Sequence, residues 1–452
     1  MLDNCVRLVK KALEAGADDA EACILERRGL EHKLEKNYVK LATAEISVGR
    51  GLRVMKDHRL GFSFTTNMNN DDAPVEKALS ISRLGKELKE FGFPSGAKTS
   101  EVEKTYDRRL ADLPLDYGVR ACEEGIRGAL EVDKEINVTG GRVRYGVETL
   151  YVANSQGLEA EDRVTYLFAE VDTVLKRNGV STGTETYWSK QMDADFSEIG
   201  KRSARWTLDT SNPKKMEGGK MTVLFHPLAL RSMMEFVLVP ALYADRARKG
   251  ESVYSDRMGE TVADEGISFF DDPKMPNGPN SGMMDDEGTP SSRTDLIVKG
   301  KLESFLYDGL VASEYAEKTT SSAMKVARLS NIRQFKYPPR TSARNFVLEG
   351  SGKPVDDLIA ETSDGILVHS VLGAHTSNPA SGDFSVSSPR LLRIENGEIS
   401  HPVTSVMITG NFPELLSNIS GVGDDRRRMK GSIGALGIIS PSVRFEDVLI
   451  IG

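Results

Sequence analysis

Hydrolytic or metal chemistry in this chain would have to come from six histidines, three cysteines and a few acidic clusters, and their spacing decides what is available. A zinc peptidase helix needs two imidazoles on one helical segment and a glutamate to activate water, as in HExxH. The histidines stand at His32, His58, His226, His369, His375 and His401, so no such pair exists. His369 and His375 flank Gly373 and could meet across a turn with a carboxylate such as Asp383, although hydrogen bonding or surface lining is the plainer role for them. Cys5, Cys23 and Cys122 form no CxxC pair and have no histidine near in sequence, a pattern suited to reduced thiols.

A second group of candidates is acidic or glycine-rich. Asp271-Asp272 and Asp285-Asp286-Glu287-Gly288-Thr289-Pro290 could bind a hard cation through oxygen, or serve as turn and cap residues, the plainer reading. Gly431, Gly434 and Gly437 follow a GxxGxxG spacing, but strand-like residues come next where a phosphate-binding helix would be needed. Met233-Met234 and Met283-Met284 could make adaptable peptide contacts, or simply fill a core. No GxSxG elbow or Walker loop is present.

The elements that must position these residues are legible in outline. Leu2, Val6, Val9 and Leu13 recur at helical spacing before Gly16, whose freedom at positive φ suits a helix C-terminal cap. Residues 22–26 read as a strand, and residues 46–55 and 61–66 as a hairpin around Lys56-Asp57-His58. Residues 75–91 and 117–135 carry helical periodicity and should cover one sheet face. Residues 142–148, 149–154 and 165–173 read as an antiparallel meander, turning at Asn154-Ser155-Gln156-Gly157. Phe196, Ile199, Ser203 and Trp206 share one side of a further helix.

A linker-like stretch from Ser211 to Gly219 places a boundary near residue 215, dividing the chain into an N-terminal α+β domain, 1–215, and a β-rich domain, 216–452. The second opens with a strand at 221–225 and a core helix from Pro227, followed mostly by strands, with Asn396-Gly397 as a type I′ hairpin turn. Residues 269–292 form a long loop of the kind that is functional or mobile. Without strict βαβ alternation the fold class is α+β, an N-terminal helix-and-sheet domain followed by a mostly antiparallel β domain.

Composition narrows the function classes. The 452 residues carry 59 Lys plus Arg against 67 Asp plus Glu, a net charge of −8 spread along the chain, so no basic face for nucleic acid is expected. Arg426-Arg427-Arg428 follows Asp424-Asp425 and is largely neutralised by it. Residues 228–243 are interrupted by Arg231, Glu235 and Pro240 and are too short for a membrane span. With no visible secretion signal, the expected location is cytoplasmic.

Short segments in a fixed order then resemble the TldD/PmbA family of metallopeptidase-related proteins, once described as modulators of DNA gyrase. They include Gly16 to Glu21, Gly51-Leu52-Arg53-Val54, Asn154 to Gly157, Gly250-Glu251-Ser252, Asp285 to Pro290, Gly382-Asp383-Phe384-Ser385 and Thr409-Gly410-Asn411-Phe412. The Gly-Asp-Phe-Ser form is similar to the PmbA (TldE) branch. Active TldD-type members carry an HExxxH helix before the Gly-x-Ser segment and a late cysteine. The two histidine positions fall in this chain on about Glu235 and Pro240, the glutamate on about Phe236, and no cysteine follows Cys122.

The resemblance therefore implies a non-catalytic subunit, with no cofactor of its own, that pairs with a zinc-bearing TldD-type chain or forms a homodimer. Together the pair would enclose a cavity in which unfolded peptides are cut. An extended peptide would lie on strand-rich residues near 373–388, and the candidate peptide- or partner-binding residues are Asp286, Glu287, His375, Asn378, Asp383 and Ser385. The competing expectation is a stand-alone metal-dependent hydrolase using His226, His369, His375 and an acidic loop residue.

Overall fold

The computed structural model describes residues 1–96, 98–177, 179–327, 330 and 332–452. Helix α1 (Leu2–Glu14) buries Cys5, Leu8, Val9 and Ala12; of the stripe expected from the sequence only Val9 is fully buried, Leu2 and Val6 pack at its margin and Leu13 is exposed. Strands β1 (Asp19–Glu35) and β2 (Tyr38–Lys56) are much longer than their apolar cores suggest, and β3 (Arg59–Thr65) completes a meander. Both tight turns between them use paired positive-φ residues, Lys36-Asn37 and Asp57-His58, the twist that matches two antiparallel strands. Helix α2 (Asp72–Ser82) ends well before residue 91: the Leu84 and Gly85 amides close it with tighter turns onto Ile81 and Ser82, and the Leu88 amide then bonds the His58 carbonyl of the hairpin turn at 2.7 Å.

After the short α3 (Arg108–Ala111) comes α4 (Leu115–Val132), then β4 (Asn137–Asn154), β5 (Glu159–Leu175), β6 (Ser181–Ser189) and α5 (Phe196–Asp209). Residues 142–154 form one continuous strand where the sequence suggests two. The six strands make one antiparallel sheet in the order β3-β2-β1-β4-β5-β6. One face carries the helices: α1 and α2 pack on Ile24, Leu52 and Val54, while α4 and α5 cover Val143, Tyr145, Leu167, Ala169 and Val171. The opposite face meets the second half of the chain, with Cys23, Leu25 and Val152 against Met284 and Phe335.

The second half is built on two large sheets around one large core, with a third, two-stranded sheet of Ala323–Met324 and Arg340–Thr341. The larger is ordered Asp383–Ser388, Val406–Asn411, Val443–Ile451, Gly219–Phe225, Asp364–Val368, Leu391–Glu395, Glu398–Val403. The smaller runs Lys301–Leu302, Thr294–Val298, Ser268–Asp271, Asn345–Glu349, Gly437–Ser440, Arg427–Lys430. Pairing is antiparallel except for two neighbours, Gly219–Phe225 with Asp364–Val368 and Asn345–Glu349 with Gly437–Ser440. The α+β architecture expected from the sequence is what the chain adopts. Asn396 and Gly397 both take positive φ and join two paired strands, as their side chains predict. No described helix is long and apolar enough to cross a membrane.

Candidate functional site

Strand alternation builds the site. On β4 and β5, residues Val143, Tyr145, Leu167, Ala169 and Val171 point to the helices, so Arg142, Arg144, Glu148, Tyr166, Phe168 and Glu170 point to the other face, joined by Trp188 of β6 and Arg27 of β1. Arg142 and Glu170 stand opposite in register and bond at 2.9 Å, and Phe168 stands opposite Trp188. Tyr166 lies so close over β1 that a Cβ at Gly29 would sit 2.1 Å from its hydroxyl. The second half of the chain closes this face with Arg231, the turn Pro279-Asn280-Ser281, Arg333 and the segment Lys430-Gly431-Ser432, enclosing a cavity of about 240 Å³.

Seven cationic side chains and two carboxylates line that cavity. Glu148 is matched by Arg27 and by Arg333 at 3.4 Å; burial pushes its carboxyl up, but Arg27, Arg333 and Lys430 hold it down to about 2. Glu170 is held by Arg142. Among the described residues, Lys190, Lys430 and Arg231 have no carboxylate within salt-bridge distance, and the remaining five residues of the chain include no acid. Both lysine ammoniums approach the Trp188 ring, at 5.6 and 5.9 Å from its centre. Burial, then Lys430 and Arg333, press Lys190 down to about 7, while burial, together with Arg27 and Arg333, brings Lys430 to about 8.

This arrangement has a stability consequence. Lys190 has a folded pKa of about 7 against an ordinary 10.5, so between those values the unfolded chain binds the extra proton and stability rises with pH. Below pH 7 both states are protonated and the full penalty of the buried charge remains. Lys190→Met should therefore stabilise the protein by about 2–3 kcal/mol at pH 7, a gain that shrinks toward pH 10. Urea unfolding at pH 7 and 9.5 measures it; equal gains at both would show that the ammonium is not strained.

The cavity wall at Gly431-Ser432 is fixed by the helix from Pro227. Its first turns, Pro227–Met233, are α-helical, but Met234–Leu238 forms a π turn before the closing segment Val239–Ala241. Pro240 lacks the amide that would continue the α ladder, a local cause for the interruption. Buried Glu235 points from the π turn into a nest of donors: Ser432 N at 2.5 Å, Ser432 Oγ at 2.7 Å, Ile433 N at 3.0 Å and Gly434 N at 2.5 Å. The approach is tight enough that a Cβ at Gly431 would sit 2.7 Å from the carboxylate. The glycine-rich spacing of residues 431–437 thus cradles an anion, but the anion is the chain's own.

These are the positions at which the family resemblance puts the zinc ligands. Residues five apart lie about 140° apart around an α-helix, whereas a π turn brings them toward one side. Here the π turn includes 235 but ends at Leu238, before 240, and one residue is a carboxylate consumed by four donors while the other is proline. Residue 236 is phenylalanine, with its ring 6.2 Å from that of His375. Among the described residues no group of three His, Cys, Asp or Glu side chains is placed to hold a metal. The residues do not fit a zinc ion.

Of the sequence candidates, four come together. Asn378 N bonds Asp383 O at 3.0 Å, Asp383 accepts from Ser381 Oγ and Asn411 Nδ2, and His375 and Ser385 lie exposed on the same sheet edge. Those side-chain hydrogen bonds keep the Asp383 carboxyl below its usual range. Asp286 and Glu287 are corrections: they are 1% and 2% exposed, because loop 272–293 is wedged between the two halves. Asp286 pairs with Arg333 at 3.2 Å and Glu287 with Arg53 at 2.7 Å, so neither presents a surface to peptide or partner. Asp285 accepts three backbone amides, from Glu287, Thr289 and Ala323, which is the plainer turn-and-cap role.

The three-histidine metal site is also corrected. His226 and His369 do meet, ring centres 4.8 Å apart with Trp206 4.0 Å from His369, but His375 belongs to the Phe236 contact and no third ligand joins the pair among the described residues. Burial drives both imidazoles far below their usual range and keeps them neutral. Sequence reasoning missed the cationic cavity itself. Its signal was the same-parity run Arg142, Arg144, Glu148 with Tyr166, Phe168, Glu170 on the next strand.

Three stretches of the chain match family models: PmbA/TldA metallopeptidase domain 1 over residues 20–82, the central domain over 108–209 and the C-terminal domain over 218–452. An uncharacterised protein of Methanocaldococcus jannaschii is 27% identical over 408 residues, 90% of each chain. The metalloprotease PmbA of Escherichia coli O157:H7 is 23% identical over 443 residues, 94% of this chain and 92% of that one. The crystal structure of TldE from Thermococcus kodakarensis superposes with a TM-score of 0.91 at 25% identity, over 99% of this chain and 100% of that one.

Proposed function

The chain belongs to the PmbA/TldD metallopeptidase family, and on that premise we propose that it is a PmbA/TldE-type subunit, shaping the peptide cavity of a two-chain peptidase whose cutting is done by a TldD-type partner. The observation that carries this reading is Glu235: at the position of a metal ligand stands a carboxylate saturated by loop amides, with proline five residues on. It can neither bind zinc nor act as a general base while those bonds persist. The similarity to a solved TldE over the full chain supports the same branch.

Substrate placement is the work left to such a subunit. Strand Asp383–Ser388 is the edge of the larger sheet, pinned at Leu372 to Ser387 and at Asn378 to Asp383. Between those pins alternation turns the backbone of Ser385 outward, the one position of this edge that segment 372–378 does not pair and where a peptide backbone can make a local contact. The three cysteines are free and buried, which suits the reducing cytoplasm.

The test is cleavage of casein or an unstructured peptide by the purified chain, alone and mixed with a TldD-type chain, alongside metal analysis and light scattering. Alone, the chain should bind no stoichiometric zinc and cut nothing; the mixture should cut and run as a heteromeric complex. Chelator-sensitive cleavage by the chain alone would overturn the assignment, and a stable homodimer that ignores the TldD-type chain would overturn the pairing.

A further inference from the structure

We propose that the cationic cavity is a carboxylate-binding subsite, which takes the C-terminal carboxylate or an acidic side chain of a peptide between Lys190, Lys430 and Arg231, with an adjacent apolar group against Trp188 and Phe168. The inference rests on the reading of this chain as a peptide-holding subunit and names the chemistry that it selects.

Three cations without a carboxylate partner converge on one partly open cavity in a protein whose net charge is −8. Burying like charges side by side is unfavourable unless a counter-charge joins them. Of the acids lining the cavity, Glu148 is committed to two arginines and Glu170 to Arg142, while buried Asp162, near Lys190, accepts the Met283 amide and lies beyond salt-bridge distance of the lysine. Arg231 has a buried Nε with no hydrogen-bond partner. Both lysines sit against one indole ring, an arrangement that holds them in place without neutralising them. An incoming carboxylate would be met by fixed donors in a low-dielectric pocket, where charge-assisted hydrogen bonds are strong.

The size and the walls restrict the guest. The volume, about 240 Å³, lies below the roughly 300–1,000 Å³ of drug-sized ligand sites. The guest is therefore a short piece of an extended chain, and the aromatic side formed by Trp188, Phe168 and Tyr166 accepts an apolar neighbour of the charged group. Gly431 and Ser432 border both this cavity and the Glu235 nest, so a carboxylate held in the cavity lies beside the segment that corresponds to the metal helix of active relatives.

Binding to the isolated chain, read by calorimetry and tryptophan fluorescence, tests this without any cleavage. The probes are unstructured peptides with free or amidated C-termini, and with internal Glu or Gln, together with inorganic phosphate. A peptide carrying either kind of carboxylate should bind at least tenfold tighter than its amidated Gln counterpart, and comparing the two carboxylate positions identifies the source. Lys190→Met and, independently, Lys430→Met should each abolish that preference, with folding checked by circular dichroism. Equal binding of charged and neutral peptides, an undiminished preference in both variants, or phosphate binding tighter than every peptide would overturn the inference. Absence of the preference in the unmodified chain, with partner-dependent cleavage intact, would sink this inference alone. Cleavage by the chain alone would instead sink the proposed function and leave the binding result standing.

Discussion

Replacing Arg53 by methionine should destabilise the protein by about 3–5 kcal/mol, because it strands buried carboxylates without their main counter-charge. The guanidinium is 3% exposed and spans the two halves of the chain: it bonds Glu21 of β1 at 3.1 and 2.7 Å and Glu287 of the wedged loop at 2.7 Å. Phe93 lies 5.2 Å from it on one side. Lys325 completes the group, with its ammonium 3.5 Å from Glu21 and 2.9 Å from the Asp286 carbonyl. Without Arg53, two buried carboxylates are left with one more distant cation between them. Unpaired buried charge is what makes breaking such a pair costly, more than any intrinsic strength of the pair.

The variant should unfold at lower urea concentration, and the loss should be partly recovered in Arg53→Met/Glu287→Gln, where one orphaned charge is removed as well. A loss below about 1 kcal/mol, the range of exposed ion pairs, would mean that the loop is not locked to the first sheet through this residue. Because Glu287 also accepts the Gly309 amide at 2.8 Å, Glu287→Gln alone should cost less than Arg53→Met, since it keeps an acceptor in place.

The second large effect is expected at Glu235. Substitution by alanine removes the acceptor for three backbone amides and one hydroxyl, and should cost about 2–4 kcal/mol through the orphaned donors and the gap left behind. The damage should be local first: amide hydrogens of Ser432, Ile433 and Gly434 should exchange with solvent much faster than in the parent, while those of the first sheet stay protected. Glu235→Gln should fall between, since one carbonyl oxygen can serve only part of the nest. Unchanged protection at 432–434 in the alanine variant would mean that the loop is held by other contacts.

Both effects sit where the sequence was least explicit. The glycine spacing at 431–437 was visible, as was Glu235, but 196 residues separate Glu235 from Gly431, and no local pattern connects them. Likewise Asp286 and Glu287 stand out as an acidic cluster in a long loop, and an acidic loop ordinarily faces water. This loop instead threads between two layers and finds Arg53 and Arg333, which lie 280 residues apart in the chain.

Local physics settled a good deal. The existence of helix α1, though not which of its faces is buried, the paired positive-φ turns at Asp57-His58 and Asn396-Gly397, the antiparallel pairing of the first sheet and the lack of any zinc-binding pair of histidines follow from residue types at short spacing, because backbone sterics and side-chain periodicity act over a few residues. Tertiary structure alone decided which face of β4 and β5 would be solvated. Arg142, Arg144 and Glu148 read as a polar outer face, and period two fixes only that they share a side. What lies against that side depends on the second half of the chain folding over it, which turns an ordinary charged surface into a partly covered cavity with three unpaired cations, where reduced access to water makes each charge count.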